Sequence, residues 1–140
     1  VAVFEMGEDE GGAGQQSLAA RDLDVTRQVR TSSWLGRRYQ GQGIGTEMRA
    51  AILHLAFAGL DADEALSGAL EHNHASRAVS HKLGYHHDGH QRRALNGKMV
   101  VEHRLCLTRA AWEQHRTVPV SVEGLAPCLP FLDIDASACD

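Results

Sequence analysis

Three glycines, Gly41, Gly43 and Gly45, alternate directly ahead of a segment with helical periodicity. A strand, a glycine-rich turn and a helix in that order make an anion site. The first backbone N–H groups of a helix lack internal partners and point outward, and the helix dipole adds partial positive charge there. Glycines let the backbone close on a phosphate without Cβ clashes. A pyrophosphate would rest on the amides from Gln42 to Thr46. Neither common nucleotide motif fits. Thr46 stands where GxGxxG needs its third glycine, and no Gly-Lys-Ser/Thr follows as a Walker loop requires. The same residues equally describe a tight strand-to-helix turn with no ligand.

A second group with chemical potential is the set His72, His74, His81, His86, His87 and His90. His74 and His81 are seven apart, two helical turns, and can share a face. No tight ligand set such as HExxH is present, so the expectation is a histidine-rich surface and no metal.

The elements that must position these groups are readable in outline. Val1–Glu5 is a short apolar run ending in a glycine-rich acidic turn, a first strand. Ala13–Ala20 is a second, and Thr26–Leu35, richer in β-branched and aromatic residues, a third. A helix is expected from Thr46 to Ala58, with Ile44, Met48, Ala51, Ile52, Leu55 and Ala56 on one apolar face and Gly59 ending it. The segment 63–71 has helical propensity, but its place between two helices argues for a buried strand. Asn73 is a good N-cap for a helix over Ala75–Leu83, and Gly84 a good C-cap. Alternation after Tyr85 is poor, but Asn96-Gly97 is a strong hairpin signal, with Lys98–Leu107 as return strand. Thr108 caps a short helix through Trp112. Residues 117–140, with three prolines, read as an irregular tail.

The composition is that of one ordinary globular domain: 140 residues, 43% hydrophobic and 23% charged. No apolar run approaches the roughly 20 residues of a membrane span. The longest, Ala50–Leu60, is broken by His54 and Gly59. A basic n-region is absent from the first residues. The net charge of −4 argues against a nucleic-acid partner, although Arg37 and Arg38 could serve a small anion. Three cysteines, Cys106, Cys128 and Cys139, with no CxxC pair, favour a reducing cytoplasm over a disulfide framework.

Gln40-Gly41-Gln42-Gly43-Ile44-Gly45 resembles the acetyl-CoA signature of the GNAT N-acetyltransferase superfamily, Gln/Arg-x-x-Gly-x-Gly/Ala. The residues Ser33 to Tyr39 resemble the strand that leads into it. Downstream, Asn73, Ser76, Val79, Lys82, Leu83, Gly84 and Tyr85 stand in the spacing of the second family motif. The Asn-x-x-Ser form, with Ser80 where many relatives carry a tyrosine, points to the RimJ/RimL-like branch. The closing hairpin and Leu107–Trp112 resemble that branch too. The resemblance covers Val1 to about Trp112. It implies an α/β fold with a mixed, mostly antiparallel sheet and helices on both faces. Two strands, Thr26–Leu35 and 63–71, would splay to hold acetyl-CoA between them. The family's first strand and two following helices have no counterpart here. The expectation is therefore an N-terminally incomplete acetyltransferase domain over 1–116.

The implied reaction is acetyl transfer from acetyl-CoA to a primary amine, of a protein N-terminus or a small molecule, by a cytoplasmic enzyme. No metal, nucleic-acid or membrane partner is expected, and a homodimer is allowed. The resemblance places the coenzyme against Trp34, Leu35, Gln40, Gln42, Gly43, Ile44, Gly45, Thr46, Asn73 and Ser76. Backbone amides near Trp34 and Leu35 would polarise the carbonyl, Asn73 would lie near the pantetheine arm, and Ser76 near the leaving sulfur. The base is harder to assign. Where relatives carry a glutamate, in the strand before the signature and ahead of the hairpin turn, this chain has Arg30 and Arg93. Glu102 on the return strand remains as a candidate, against its reading as a solvated strand residue. Glu47 complements the helix dipole. His72 or His74 could carry a proton near the cleft, and a water chain could replace any side chain. The alternative, from another class, is a non-catalytic CoA-binding or regulatory module.

Overall fold

The computed structural model describes residues 2–6 and 14–132. The acidic turn expected after the first strand, and Cys139, lie outside them. The chain runs β1 (Ala2–Met6), β2 (Gly14–Ala19), a single helical turn α1 (Leu23–Thr26), β3 (Gln28–Leu35), α2 (Ile44–His54), β4 (Glu64–Leu70), α3 (His74–Leu83), β5 (His86–Leu95), β6 (Lys98–Thr108) and α4 (Arg109–His115). The strands form one mixed sheet in the order β1-β2-β3-β4-β6-β5. Among the described residues only β3 and β4 pair in parallel; every other neighbouring pair is antiparallel.

The third strand starts later than its composition predicts, because Leu23–Thr26 close a helical turn between Asp22 and Arg27, both at positive φ (51° and 55°). The main helix begins at Ile44 rather than Thr46, and its last turn, Leu55–Gly59, widens to π geometry. Segment 64–70 is a strand despite its helical propensity. Burial decides this, since Ala65 and Ala69 sit in the core and tertiary packing outweighs a few tenths of a kcal/mol per residue of propensity. Local chemistry fixes the remaining ends. Asn73 Oδ1 accepts from Ser76 N and caps α3, Thr108 Oγ1 accepts from Ala111 N and caps α4, and Gly84 closes α3 at φ 99°. Asn96 and Gly97, at φ 51° and 74°, make the tight turn between β5 and β6.

Strand register sorts the residues onto two faces. Leu18, Val29, Ala65, Ala69, Leu105 and Leu107 share one face and join Ile52, Leu53, Phe57, Leu83 and Trp112 in a single core. Phe57 stacks on Trp112 with ring centroids 5.1 Å apart. Burying each large apolar side chain here contributes roughly 2–3 kcal/mol. Ala51, expected on the apolar face of α2, is exposed; Leu53 and Phe57 take the core positions instead. Helices α2, α3 and α4 all pack on this face, and the tail returns to it through a 3-10 helix over Ala126–Leu132 that buries Leu129. The sequence led to helices on both faces. Among the described residues the opposite face, carrying Ser17, Arg30, Ser32, Leu66 and Glu102, lies free of α2, α3 and α4.

Candidate functional site

Backbone pairing creates the central feature. β3 and β4 are hydrogen-bonded only from Gln28–Arg30 to Glu64–Leu66, yet β3 continues to Leu35 and β4 to Leu70. The two strands part beyond Arg30. The closed end is pinned. Asp63 N and Glu64 N both donate to Arg27 O, and Asp61 accepts from Arg27 and Arg109 at 2.7 and 2.8 Å. The far end opens toward the glycine turn.

That turn is shaped by Gly41 and Gly43, at φ 74° and 82°, where side chains are strained. Gln40 Nε2 donates to Leu35 O and Gln42 Nε2 to Arg38 O, both at 2.9 Å, which fastens the turn to the end of β3. Gly43 then begins α2 with no side-chain cap on the helix amides. Nothing lies within 4 Å of where a Cβ would stand on Gly41 or Gly43. The result is an open helix N-terminus, the arrangement that receives an anion.

A cavity of about 350 Å³ joins this turn to the splayed strand. One wall is Ser33, Trp34 and Leu35, the base is Gln40, Gly41, Gly43, Gly45, Thr46, Met48 and Arg49, and the far wall is Asn73, Ala75, Ser76 and Val79 of α3. Eight of the ten coenzyme-site residues proposed from sequence therefore converge. Gln42 is exposed with its amide spent on Arg38, and the Ile44 side chain is half-buried away from the lining. Ser33, Gly41 and Val79, which belong to the motifs read from the sequence, line it as well, and Met48, Arg49 and Ala75 join them from outside those motifs.

Arg49 is the informative omission. It is 7% exposed, and its guanidinium donates to Ser76 O at 3.2 Å and Ser80 Oγ at 2.7 Å while lying over the Tyr85 ring, 5.4 Å from its centroid. The first turns of α2 are thereby tied to the serine-bearing turns of α3. Burial pushes the Tyr85 phenol above its ordinary range, against the lowering effect of Arg49, so this ring is a neutral platform.

No Asp, Glu or His lines the cavity among the described residues. Glu102 sits on the sheet face away from α2 and α3, packed over Gly68 and ion-paired with Arg93. Arg30 is exposed on that same face, and Glu47 is exposed in the first turn of α2. His72 and His74 are exposed. His87 and His90 are brought together with His103, which the sequence reading had not grouped with them.

The two described cysteines are free. Burial, then the hydrogen bond from Cys106 Sγ to Glu64 Oε2, pushes the Cys106 thiol up to about 12. Thiolate is scarce at neutral pH, so Cys106 should resist iodoacetamide in the native protein at pH 8 and react once unfolded. Exposed Cys128 should react natively, which peptide mass mapping reads directly. Native alkylation of Cys106 at the rate of Cys128 would contradict this environment.

A family model described as an acetyltransferase (GNAT) domain matches residues 1–86. Solved structures share the fold. One described as a probable acetyltransferase is 26% identical with a TM-score of 0.66, over 72% of this chain and 58% of its own. Mycobacterium smegmatis RimJ in complex with CoA-disulfide is 22% identical with a TM-score of 0.65, over 71% and 48%. A chimera of Vibrio cholerae spermidine N-acetyltransferase SpeG and hSSAT is 15% identical with a TM-score of 0.71, over 80% and 71%. The chain thus spans about half the length of the first two.

Proposed function

Because this chain belongs to the acetyltransferase (GNAT) domain family, we propose that it binds acetyl-CoA in the cavity between the glycine turn and α3 and transfers the acetyl group to a primary amine. The observation that carries this reading is the meeting of an uncapped helix N-terminus with the end of β3, which has left its pairing with β4, in one cavity. The amides of Gly45 and Thr46 offer donors and positive dipole to a pyrophosphate. The exposed edge of β3 offers backbone donors and acceptors to an extended, amide-bearing arm. Arg37 and Arg38 stand beside the turn as further cations.

For the transfer, a neutral amine nitrogen attacks the thioester carbonyl carbon, the C–S bond breaks, and the thiolate takes up a proton. Of the adjacent Trp34 and Leu35 amides, the one directed away from β2 would stabilise the oxygen as it gains charge. Ser76 lines the cavity, and its hydroxyl would serve the departing sulfur. Its carbonyl is already held by Arg49 and Ser80, which fixes the turn that presents it. Glu102 would act as base only after leaving Arg93, so water is the better proton acceptor here. The absence of carboxylate and imidazole from the described lining favours one second reading, a CoA-binding module without turnover.

Thiol release from acetyl-CoA with a panel of N-terminal peptides and polyamines separates the two. A group acting mainly in the transition state shows itself in kcat. Ser76→Ala should therefore lower kcat roughly 10- to 100-fold while changing CoA affinity little. Unchanged kcat in folded Ser76→Ala protein would return this serine to a structural role. Spermidine, which the description of the SpeG chimera names, and N-terminal peptides are the acceptors to try first.

A further inference from the structure

Residues three apart in a regular strand face opposite sides of the sheet. His87 and His90 do not. The register of β5 against β6 shifts between them, so His87 pairs with Leu105 and His90 with His103. The extra residue is absorbed at Asp88 and Gly89, Gly89 standing at φ 102° where an L side chain is strained. Arg104 Nε donates to Asp88 O at 3.1 Å and locks the bulge. Three imidazoles consequently converge on the helix-covered face. Their rings lie 5.1 to 5.6 Å apart, and one nitrogen from each falls within 4.8 Å of the others.

His103 supplies an independent sign. Both of its ring nitrogens are buried, and neither has a hydrogen-bond partner among the described residues. Glu71 Oε1 is 3.7 Å from His103 Nε2, near enough to orient the ring and too far to satisfy it. Buried polar groups are normally paired, and an orphaned one points to a missing ion or water. We propose that His87, His90 and His103 form a three-imidazole site for a divalent transition-metal ion of the zinc class, with Glu71 as the carboxylate that orients His103.

The chemistry fits the donors. Imidazole nitrogen is a preferred ligand of zinc, copper and nickel, and zinc takes three such ligands with a fourth position left open. Ideal Zn–N bonds of about 2.0–2.1 Å require the nitrogens to close by about 1.5 Å, within reach of side-chain rotation for exposed His87 and His90. A cavity of about 300 Å³ borders His87 and His103, with Arg77 and His81 also in its lining. The open position can therefore take water or a small anion. This site is built on β5 and β6 and does not depend on acetyl-CoA binding.

Tag-free protein stripped with chelator would be titrated with Zn(II) against a chromophoric competitor, and with Co(II) followed by visible absorption. One equivalent should bind, with the intense spectrum of tetrahedral cobalt. His90→Ala and His103→Ala should each weaken binding on the order of 100-fold, and Glu71→Gln by about 10-fold. His86→Ala is the control, because His86 pairs with Cys106 and projects to the opposite face. Folding of His103→Ala would be checked by circular dichroism; His90 is exposed, so its variant keeps the test decisive. Weak octahedral cobalt binding, or loss of affinity equal for His86 and His90 variants, would overturn the proposal in favour of scattered surface histidines.

Discussion

Gly45→Asp should keep its fold and lose CoA. A Cβ at Gly45 would meet only Leu35 Cδ2, at 3.8 Å, and its φ is not in the left-handed region. The new carboxylate would sit in the first turn of α2, where negative charge complements the helix dipole by about 0.3–1 kcal/mol. The melting temperature of the free protein should hold or rise slightly. The same carboxylate would occupy the amides offered to a pyrophosphate and repel it. CoA affinity should fall at least about 100-fold, equivalent to roughly 2.7 kcal/mol, and thermal protection should vanish. Gly43 is the poorer site for this test, since at φ 82° any side chain disturbs the turn itself. Isothermal titration of parent and Gly45→Asp decides the matter: equal affinity would move the anion site elsewhere.

Arg49→Met is expected to give the largest loss of stability. The substitution keeps length and apolar contact but removes a charged donor from one buried and one part-buried acceptor. Ser76 O retains the Ser80 hydroxyl at 3.0 Å, whereas Ser80 Oγ loses Arg49. Hydrogen bonds from charged donors contribute about 1.5–3 kcal/mol each, so a total of about 2–4 kcal/mol should be lost. For a domain of this size that lowers the melting temperature by about 10 °C. The Michaelis constant for acetyl-CoA should also rise, since α2 and α3 are no longer tied across the cavity. A melting temperature within a degree of the parent would mean that the guanidinium only fills space.

What the sequence made legible follows from how local each signal is. The glycine turn, the Asn73 and Thr108 caps, the Gly84 stop and the Asn96-Gly97 hairpin each depend on a few adjacent residues, and each stands where the residue types place it. The turn at Leu23–Thr26 was hidden because Asp22 and Arg27 hold left-handed conformations without glycine. Strand β4 was legible only by position, its propensity pointing to helix. Arg49 carried a usable signal: with Gly45, Met48 and Ile52 it repeats at helical spacing on the inward side, so an arginine there had to be buried with partners. The convergence of His87 and His90 on His103 required a bulge, and no spacing rule reveals a bulge before the register is known. The position of Glu102 likewise depends on register, which sends it to the face away from α2 and α3.

The divergence of β3 from β4 also writes a pattern into amide exchange. Successive N–H groups along a strand point to alternate sides, so residues 31–35 present every second amide to β2 and the others to the widening gap. In deuterium the first set is held by cross-strand bonds, while the second meets solvent. Protection along this segment should therefore rise and fall with a period of two, a sawtooth that ordinary central strands lack. An extended ligand lying in the gap would act as the absent neighbour and flatten it, without any movement of the backbone.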